Sequence, residues 1–374
     1  LPENDPQSIH STFAWGIHVD ASDYAAWMTD HAKALGVSFQ RGTLAGADRD
    51  TEDGRLQALR LTDGRRLPGD LFIDCSGDEA ALIDGVLQRR FTDWSTSLPC
   101  DRVLSVSVRD LPDLPPLTYV VGKRDGWLRR IPMRDRSEYE LHHCSGLDDE
   151  ASVWERLRRD LGRTTVGEPR WRGIRNGRRE EPWYRNCIAI GRAAGCLEPL
   201  ATSNLSMAQS AVLRLMRMFP GRSCDAGLAG EYNMQVAREN ENVLDLMSLF
   251  YLAAEGHDSE FWARATQLDV PDSLRQRLEL FASHGRVLWR EEELFPREYW
   301  VSVLLGLRQL PQSYDPLADV PHPQRVTEWL ARARAAVRQA ADQMPSHADT
   351  IARLLDSGQS RADRNAGMNQ VDLE

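Results

Sequence analysis

The sequence predicts an α/β (α+β) fold in which a sheet-containing first half precedes a helical second half. Short apolar segments separated by turn signals follow one another up to about residue 200. From Ser203 onward, apolar residues recur at spacings of three and four, which is typical of amphipathic helices. A length of 374 residues corresponds to roughly two domains. We expect one domain over 1–220, a helical module over 221–357 and a polar tail over 358–374.

Charge and cysteine usage exclude several classes of protein. The 46 basic and 56 acidic residues give a formal charge of −10, which is unsuited to a general nucleic-acid binder. No apolar run approaches the roughly 20 residues that a membrane span needs. The six cysteines are scattered and show no CxxC pair, so we expect neither a metal site nor a disulfide framework. Free thiols predict a reducing, cytoplasmic environment.

The first elements can be assigned from capping residues and alternation. The spacing predicts a helix over 20–36, capped by Asp20 and stopped by Gly36. We expect a strand from Val37 to Leu44, and the two turn signals that follow predict a β-meander.

A strand over Leu71–Cys75, a helix over Ala80–Leu87 and a sheet-rich segment over 101–145 come next. A helix over 149–161 and strands near 170–175 and 187–191 complete the first half. The helical half is predicted to contain five helices, over 203–218, 226–254, 272–284, 297–309 and 323–342.

One local pattern indicates a ligand site. The strand CIAI leads into the small-residue loop GRAAG and then, through EPLATSN, into a long helix. The unpaired N–H groups of a helix N-terminus can receive an anion or the electron-rich edge of a ring. A plain Ser or Asn cap explains the same pattern. The segment LFIDCSG is a similar strand and turn, and an ordinary strand-to-helix connection explains it as well.

Other motifs are absent or weak. The chain contains no GxGxxG, no GxxxxGK[ST] and no GxSxG. Strand alternation would send His142 and His143 to opposite faces, which argues against a metal site there. Several aromatic residues of the helical half could line a pocket for a flat substrate or could simply pack between helices. They are Phe250, Tyr251, Phe261, Trp262, Trp289, Phe295, Tyr299 and Trp300.

Taken together, these segments resemble the flavin-dependent tryptophan halogenase family. The matching stretches run in order along residues 10 to 350. They are IHVDA, DLFIDCSG, GWLRRIP (the family's WxWxIP), WYRNCIAIGRAAGCLEPL, DLMSLFY, DSEFW, the series Phe295, Trp300, Gly306 and Pro311, and MPSH.

The resemblance implies a glutathione-reductase-like FAD domain carrying a mostly helical substrate domain. It also implies that reduced FAD, supplied by a partner flavin reductase, reacts with oxygen and with chloride or bromide to give hypohalous acid. That oxidant then travels past a lysine to a small aromatic substrate, typically an indole. A rigid aromatic slot sets which ring carbon it meets.

The chain departs from the family pattern at three places. The family's GxGxxG and its lysine precede anything present here, so we expect an FAD domain that is N-terminally truncated. The family's glutamate falls on Ala201, whose methyl group can neither donate nor accept a proton. Arg129 replaces the second tryptophan of WxWxIP. We therefore expect this chain to be inactive as a halogenase.

The remaining site residues come from the resemblance position by position. The halide pair falls on Ser203 and Asn204, and the backbone of Leu205 is expected to approach the flavin ring. Arg192 falls where the family contacts flavin through its backbone.

Leu44 is expected to make an adenine-side contact. Trp300 is the candidate for stacking on an indole, with helix packing as its alternative.

Two other functions stay open at this point. Ala201 and Arg129 favour a non-halogenating flavin monooxygenase or oxidase on the same fold. A non-enzymatic remnant that keeps an aromatic pocket is the third possibility. The sequence fixes neither the substrate nor the oligomeric state, a homodimer included.

Overall fold

We describe the chain from a computed structural model. It describes residue 11 and residues 16–109, 114–162, 165–254, 259–290 and 293–356. The predicted tail over 358–374 lies outside these ranges. The architecture is mixed α/β up to about residue 200 and helical afterwards, as predicted.

The chain enters through α1 (Ala21–Ala34), whose N-cap side chain, Asp20, accepts hydrogen bonds from two first-turn N–H groups. None of the α1 residues is buried, so capping and not packing defines this helix. Gly36 has a φ of +86°, a left-handed conformation that suits a helix stop.

A three-stranded antiparallel sheet follows, in the order β1 (Leu44–Arg49), β2 (Leu56–Leu61) and β3 (Arg66–Pro68). It confirms the predicted meander. The strand predicted from Val37 to Leu44 is wrong, because none of the described strands pairs with residues 37–43 and all seven are exposed. Pairing begins only at Leu44, opposite Leu61.

The next sheet joins distant parts of the chain. β4 (Phe72–Asp74) is hydrogen-bonded in parallel to β14 (Cys187–Ala189), and β13 (Trp183–Tyr184) flanks β14 on its other side. The helix predicted over Ala80–Leu87 is wrong, since this segment is a series of hydrogen-bonded turns.

The cause is local. The Asp74 carboxylate accepts the N–H groups of Leu82 and Ile83 at 2.8 Å each, and Ala80 adopts a left-handed φ of +44°. These contacts hold the backbone away from a regular helix.

The largest sheet carries six strands in the order β10-β6-β9-β8-β7, with β11 also paired to β6. Its strands are β6 (Arg102–Arg109), β7 (Tyr119–Lys123), β8 (Gly126–Pro132), β9 (Ser137–His143), β10 (Thr165–Val166) and β11 (Arg170–Gly173). Helix α2 (Glu150–Leu161) covers one face by burying Val153 and Leu157. A small sheet comprises β15 (Gly195–Cys196), β12 (Gly177–Arg179) and β5 (Phe91–Asp93).

The helical half contains the predicted helices and two helical segments that the sequence did not predict, α5 and residues 347–356. They are α3 (Asn204–Arg217), α4 (Ala226–Leu252), α5 (Glu260–Ala265), α6 (Asp272–His284), α7 (Arg297–Gly306) and α8 (Pro323–Gln343), followed by helical turns over 347–356. Over the described ranges, no helix combines the length and apolar character that crossing a bilayer demands.

The largest hydrophobic cluster joins the two halves. It combines Trp127 of β8 and Leu197 with residues of α4 to α7, including Tyr251 and Trp300. Ala201 packs against its edge. The loop between β15 and α3 therefore rests directly on the core of the helical half.

Candidate active site

The two strand-and-turn motifs lie side by side. Because β4 and β14 are parallel neighbours, the turns that follow them emerge at the same edge of the sheet. Arg192 Nη1 forms an ion pair with Asp78 Oδ2 at 3.3 Å, which joins one turn to the other. The crevice outside the carboxyl ends of parallel strands is where open α/β sheets bind ligands.

Two glycines shape the path from β14 to the loop that follows. Gly191 has a φ of +67°, which a side chain would strain. A Cβ at Gly195 would lie 2.7 Å from the carbonyl oxygen of Gly177, so only glycine permits β15 to pack this closely on β12. The small-residue loop is thus a steric requirement of the fold.

The loop ends at the N-terminus of α3, and Ser203 is its N-cap. The Ser203 hydroxyl accepts the N–H of Ser206 at 3.1 Å and also contacts the Ser206 hydroxyl at 2.9 Å. The N–H groups of Asn204 and Leu205 have no acceptor within the helix, because the first turn has no preceding carbonyls. These two groups lie at the positive end of the helix dipole.

A second hydroxyl, which the sequence analysis passed over, completes this end. Thr202 Oγ1 is buried and has no hydrogen-bond partner among the described residues. Thr202 and Asn204 line a cavity of about 30 Å³ together with Gly191, Gly195 and Glu239. Such a volume suits one small ion or a water or two. A free O–H and free N–H groups are the donors that an anion requires.

Glu239 does not oppose an anion in this cavity with an uncompensated charge. Its carboxylate pairs with Arg214 at 3.1 Å and accepts the hydroxyl of Ser210. The cavity wall is therefore neutral on that side.

Directly before this loop, Glu198 is fully buried and holds several elements together. Its carboxylate accepts the backbone N–H of Cys100 at 2.9 Å, the Trp127 indole N–H at 2.9 Å and the Tyr251 hydroxyl. Asn176 Nδ2 donates to it at 3.3 Å. Burial raises the pKa of Glu198 to about 7, so this carboxyl is close to half protonated near neutral pH.

Arg129, in place of the second tryptophan of WxWxIP, is bound to the same loop. Its guanidinium forms an ion pair with Glu140 and donates to the carbonyl oxygen of Pro199 at 2.9 Å. Burial opposes ionisation of Glu140, yet the neighbouring His142 and Arg129 bring its pKa down to about 2. The His142 ring lies flat on Trp127, with ring centroids 3.8 Å apart. A fixed charge thus occupies the position of an apolar ring.

Aromatic rings of the helical half gather around Tyr251. Its ring centroid lies 6.2 Å from that of Phe261 and 6.0 Å from that of Trp262. Trp300 belongs to the same cluster but is fully buried, with the Arg277 guanidinium 4.2 Å above its ring. Stacking of a substrate on Trp300 therefore stays a prediction. The surroundings of Trp300 are those of a side chain packed between helices.

The structure brings together most of the residues that the sequence analysis assigned to a site. Ala201, Ser203, Asn204 and Leu205 form one continuous surface with Thr202, and Leu205 is exposed. Leu44 packs on the cluster that contains Ala193, the neighbour of Arg192. Their roles toward halide and flavin stay predictions. Within the described residues, no group of His, Cys, Asp and Glu side chains could hold a metal ion.

This arrangement of sheet, loop and helix is shared with known proteins. A family model described as tryptophan halogenase matches residues 1–323. The solved structure of BrvH, a flavin-dependent halogenase from Brevundimonas sp. BAL3, is 33% identical and has a TM-score of 0.87, covering 95% of this chain and 72% of BrvH. Xcc4156, a flavin-dependent halogenase from Xanthomonas campestris, is 33% identical with a TM-score of 0.85 over 90% and 68% of the two chains.

Among characterised relatives, tryptophan 6-halogenase SttH of Streptomyces toxytricini is 25% identical over 355 residues, covering 91% of this chain and 66% of SttH. Tryptophan 7-halogenase RebH of Lentzea aerocolonigenes is 26% identical over 90% and 67% of the two chains. The chain belongs to the tryptophan halogenase family. It spans about two thirds of the length of these relatives.

Proposed function

We propose that this chain forms the halide- and substrate-binding part of an FAD-dependent halogenase of a small aromatic, indolic substrate, and that its catalysis is impaired. The observation that carries the proposal is the buried Thr202 hydroxyl, which has no hydrogen-bond partner among the described residues. It lies next to the first turn of α3, where two backbone N–H groups have no acceptor within the helix. Chloride or bromide fits this site, because the O–H and N–H donors can hydrogen-bond a small anion without a cationic side chain.

The residues beside the proposed halide site are suited to contact a flavin ring. Leu205 presents an exposed side chain beside the free N–H groups of α3, and Arg192 lies on the neighbouring turn. FAD, reduced by a partner flavin reductase, would supply the oxygen-activating redox chemistry. The chain contributes a hydrogen-bonded anion site on one side and an aromatic cluster behind Ala201 on the other.

Ala201 is one reason for impairment, beside the GxGxxG that this sequence does not contain. Its methyl group offers no proton donor or acceptor where the family has a carboxylate. Glu198 lies three residues earlier, but it is fully enclosed and already bonded to Cys100, Trp127 and Tyr251. It cannot reach a substrate as the loop stands.

Product analysis by mass spectrometry tests this function. The chain is incubated with FAD, a flavin reductase, NADH, bromide and tryptophan or indole, and Ala201→Glu is assayed in parallel. We expect little or no halogenated product from the parent chain. A gain of at least tenfold from Ala201→Glu would show that the alanine is the limiting defect, and no gain would show that it is not. Ala201→Gln, similar in size but without an acidic proton, is the matched control and should show no gain.

Separately, bromide binding is followed by the line width of its NMR signal, with Thr202→Val as the control. Loss of the broadening in Thr202→Val supports the halide site. Equal broadening in both proteins contradicts it, and rapid halogenation by the parent chain contradicts the impairment.

A second function, a non-halogenating flavin monooxygenase or oxidase, is favoured by Arg129 together with Ala201. A charged side chain fixed by Glu140 and Pro199 replaces an apolar ring in the motif that borders the flavin in the family. A flavin monooxygenase would give a hydroxylated product whose yield does not depend on bromide. The same assay repeated without bromide distinguishes the two, since a halogenase then yields no product.

A further inference from the structure

A polar cavity of about 100 Å³ lies in the helical half, between α4, α6 and the segment after α6. Part of its lining is already paired. Arg277 forms an ion pair with Glu293 at 3.0 Å, and both side chains are about nine-tenths buried. Glu241 at the margin pairs with Arg178 at 2.8 Å. These charged side chains of the cavity wall therefore already have partners of opposite charge.

The polar side chains at the floor of the cavity lack such partners for some of their atoms. Asp245 is 2% exposed and accepts one hydrogen bond, from the Ser273 hydroxyl to Oδ1 at 2.7 Å. Its Oδ2 has no hydrogen-bond partner among the described residues. Asn242, 4% exposed, has neither its amide nitrogen nor its oxygen paired with any described residue. Buried polar groups without partners are rare and costly, and a bound ligand is one explanation of them.

The mouth of the cavity has the opposite character. Arg238 of α4 and Arg290 of the following segment are both exposed. The guanidinium group of neither residue makes an ion pair or hydrogen bond with another residue that the structure describes. The cavity therefore presents an anionic acceptor and an amide inside, and outside it two guanidinium groups that no described residue pairs.

We propose that this cavity binds a small zwitterion of the α-amino acid class, with its ammonium on Asp245 and Asn242 and its carboxylate on Arg238 and Arg290. The cavity of about 100 Å³ equals the volume of about three waters at ~30 Å³ each. An amino acid with a short side chain fits this volume, and an indole is too large for it. The site needs neither flavin nor halide. It stands apart from the proposed halogenase chemistry.

Binding is linked to protons. Burial raises the pKa of Asp245 to about 7, with Arg277 lowering it and Glu241 and Glu293 raising it from the surrounding elements. An ammonium group beside Asp245 favours the carboxylate, so binding near pH 7 releases protons from this residue. An aspartate with a purely structural role would release no protons when the amino acid is added.

Isothermal titration calorimetry of the full chain with L-serine or L-alanine tests the proposal. Lactate lacks the ammonium and ethanolamine lacks the carboxylate, and both serve as comparison ligands. We expect saturable binding of the amino acids, at least tenfold weaker binding of the two comparison ligands, and proton release at pH 7 shown by buffers of different ionisation enthalpy.

Asp245→Asn keeps the size of the side chain and its bond to Ser273, and it should weaken L-serine binding at least tenfold. Arg275→Gln, on α6 but outside the cavity lining, is the matched control and should bind like the parent chain. Absence of saturable binding by the parent chain, which would mean water alone fills the cavity, overturns the proposal. Unchanged affinity in a folded Asp245→Asn protein overturns it as well.

Discussion

At the scale of single residues, Glu198 has a strong predicted effect on how stability depends on pH. Its pKa of about 7 in the folded chain compares with ~4.3 for glutamate in an unfolded chain. Between these pH values the folded state binds the extra proton. The stabilisation is therefore fully present below pH ~4 and is lost as the pH rises through 7.

Glu198→Gln removes this titration. We expect the free energy of unfolding of the parent chain to fall, relative to the variant, by about 3–4 kcal/mol between pH 4 and pH 8, because each unit of pKa shift corresponds to ~1.4 kcal/mol. Urea denaturation over a pH series measures it. Glu155→Gln, on the exposed surface of α2, is the control and should follow the parent curve. Parallel curves for the parent and Glu198→Gln would contradict the prediction.

Residue roles at the α3 terminus were only partly predictable from the sequence. Ser and Thr are both good N-caps, so TSN does not reveal which hydroxyl bonds the helix. The structure uses Ser203 for the cap, and the role of Ser203 toward halide stays a prediction. Thr202 is left buried without a partner among the described residues, and only three-dimensional coordinates could identify it.

At the scale of elements, the cap of α3 can be tested directly. Ser203→Ala removes the side-chain acceptor for the N–H of Ser206 and should destabilise the chain by ~1 kcal/mol. Urea denaturation at constant pH measures the change. Ser302→Ala on α7 is a matched control, since its hydroxyl only bonds the carbonyl of Glu298 within the same helix. An equal loss in both variants would show that the cap contributes nothing special.

Elements were predicted well where local signals decide them. Asp20 and Gly36 define α1 without any packing, and the segment predicted to be sheet-rich over 101–145 contains β6, β7, β8 and β9. The failure over Ala80–Leu87 has a local cause. A side chain from another element, Asp74, holds the turns near Ala80 in place of a helix, and no propensity scale contains that contact.

At the scale of the whole molecule, the fold class followed from the change of apolar period near residue 200. The pairing of β4 with β14 could not be derived from the residues alone, because more than 100 positions separate them in the chain. That pairing is what places the turn after Gly77 beside Arg192. The site is therefore a product of long-range topology.

The contact between α3 and α4 connects the anion cavity to the helical half. Arg214 and Glu239 form an ion pair at 3.1 Å with side chains 9% and 4% exposed. Removing one partner of a buried pair leaves the other charge uncompensated, which costs about 3–5 kcal/mol. Glu239→Leu should therefore destabilise the chain by that amount in urea denaturation.

The double variant Arg214→Met with Glu239→Leu separates the charge from the packing. Replacing both partners with apolar side chains of similar volume is often neutral or stabilising, since neither charge then has to be desolvated. We expect the double variant to unfold within about 1 kcal/mol of the parent chain. If it is as unstable as Glu239→Leu, the pair itself stabilises the fold, and the register of α3 on α4 depends on charge more than on apolar contact.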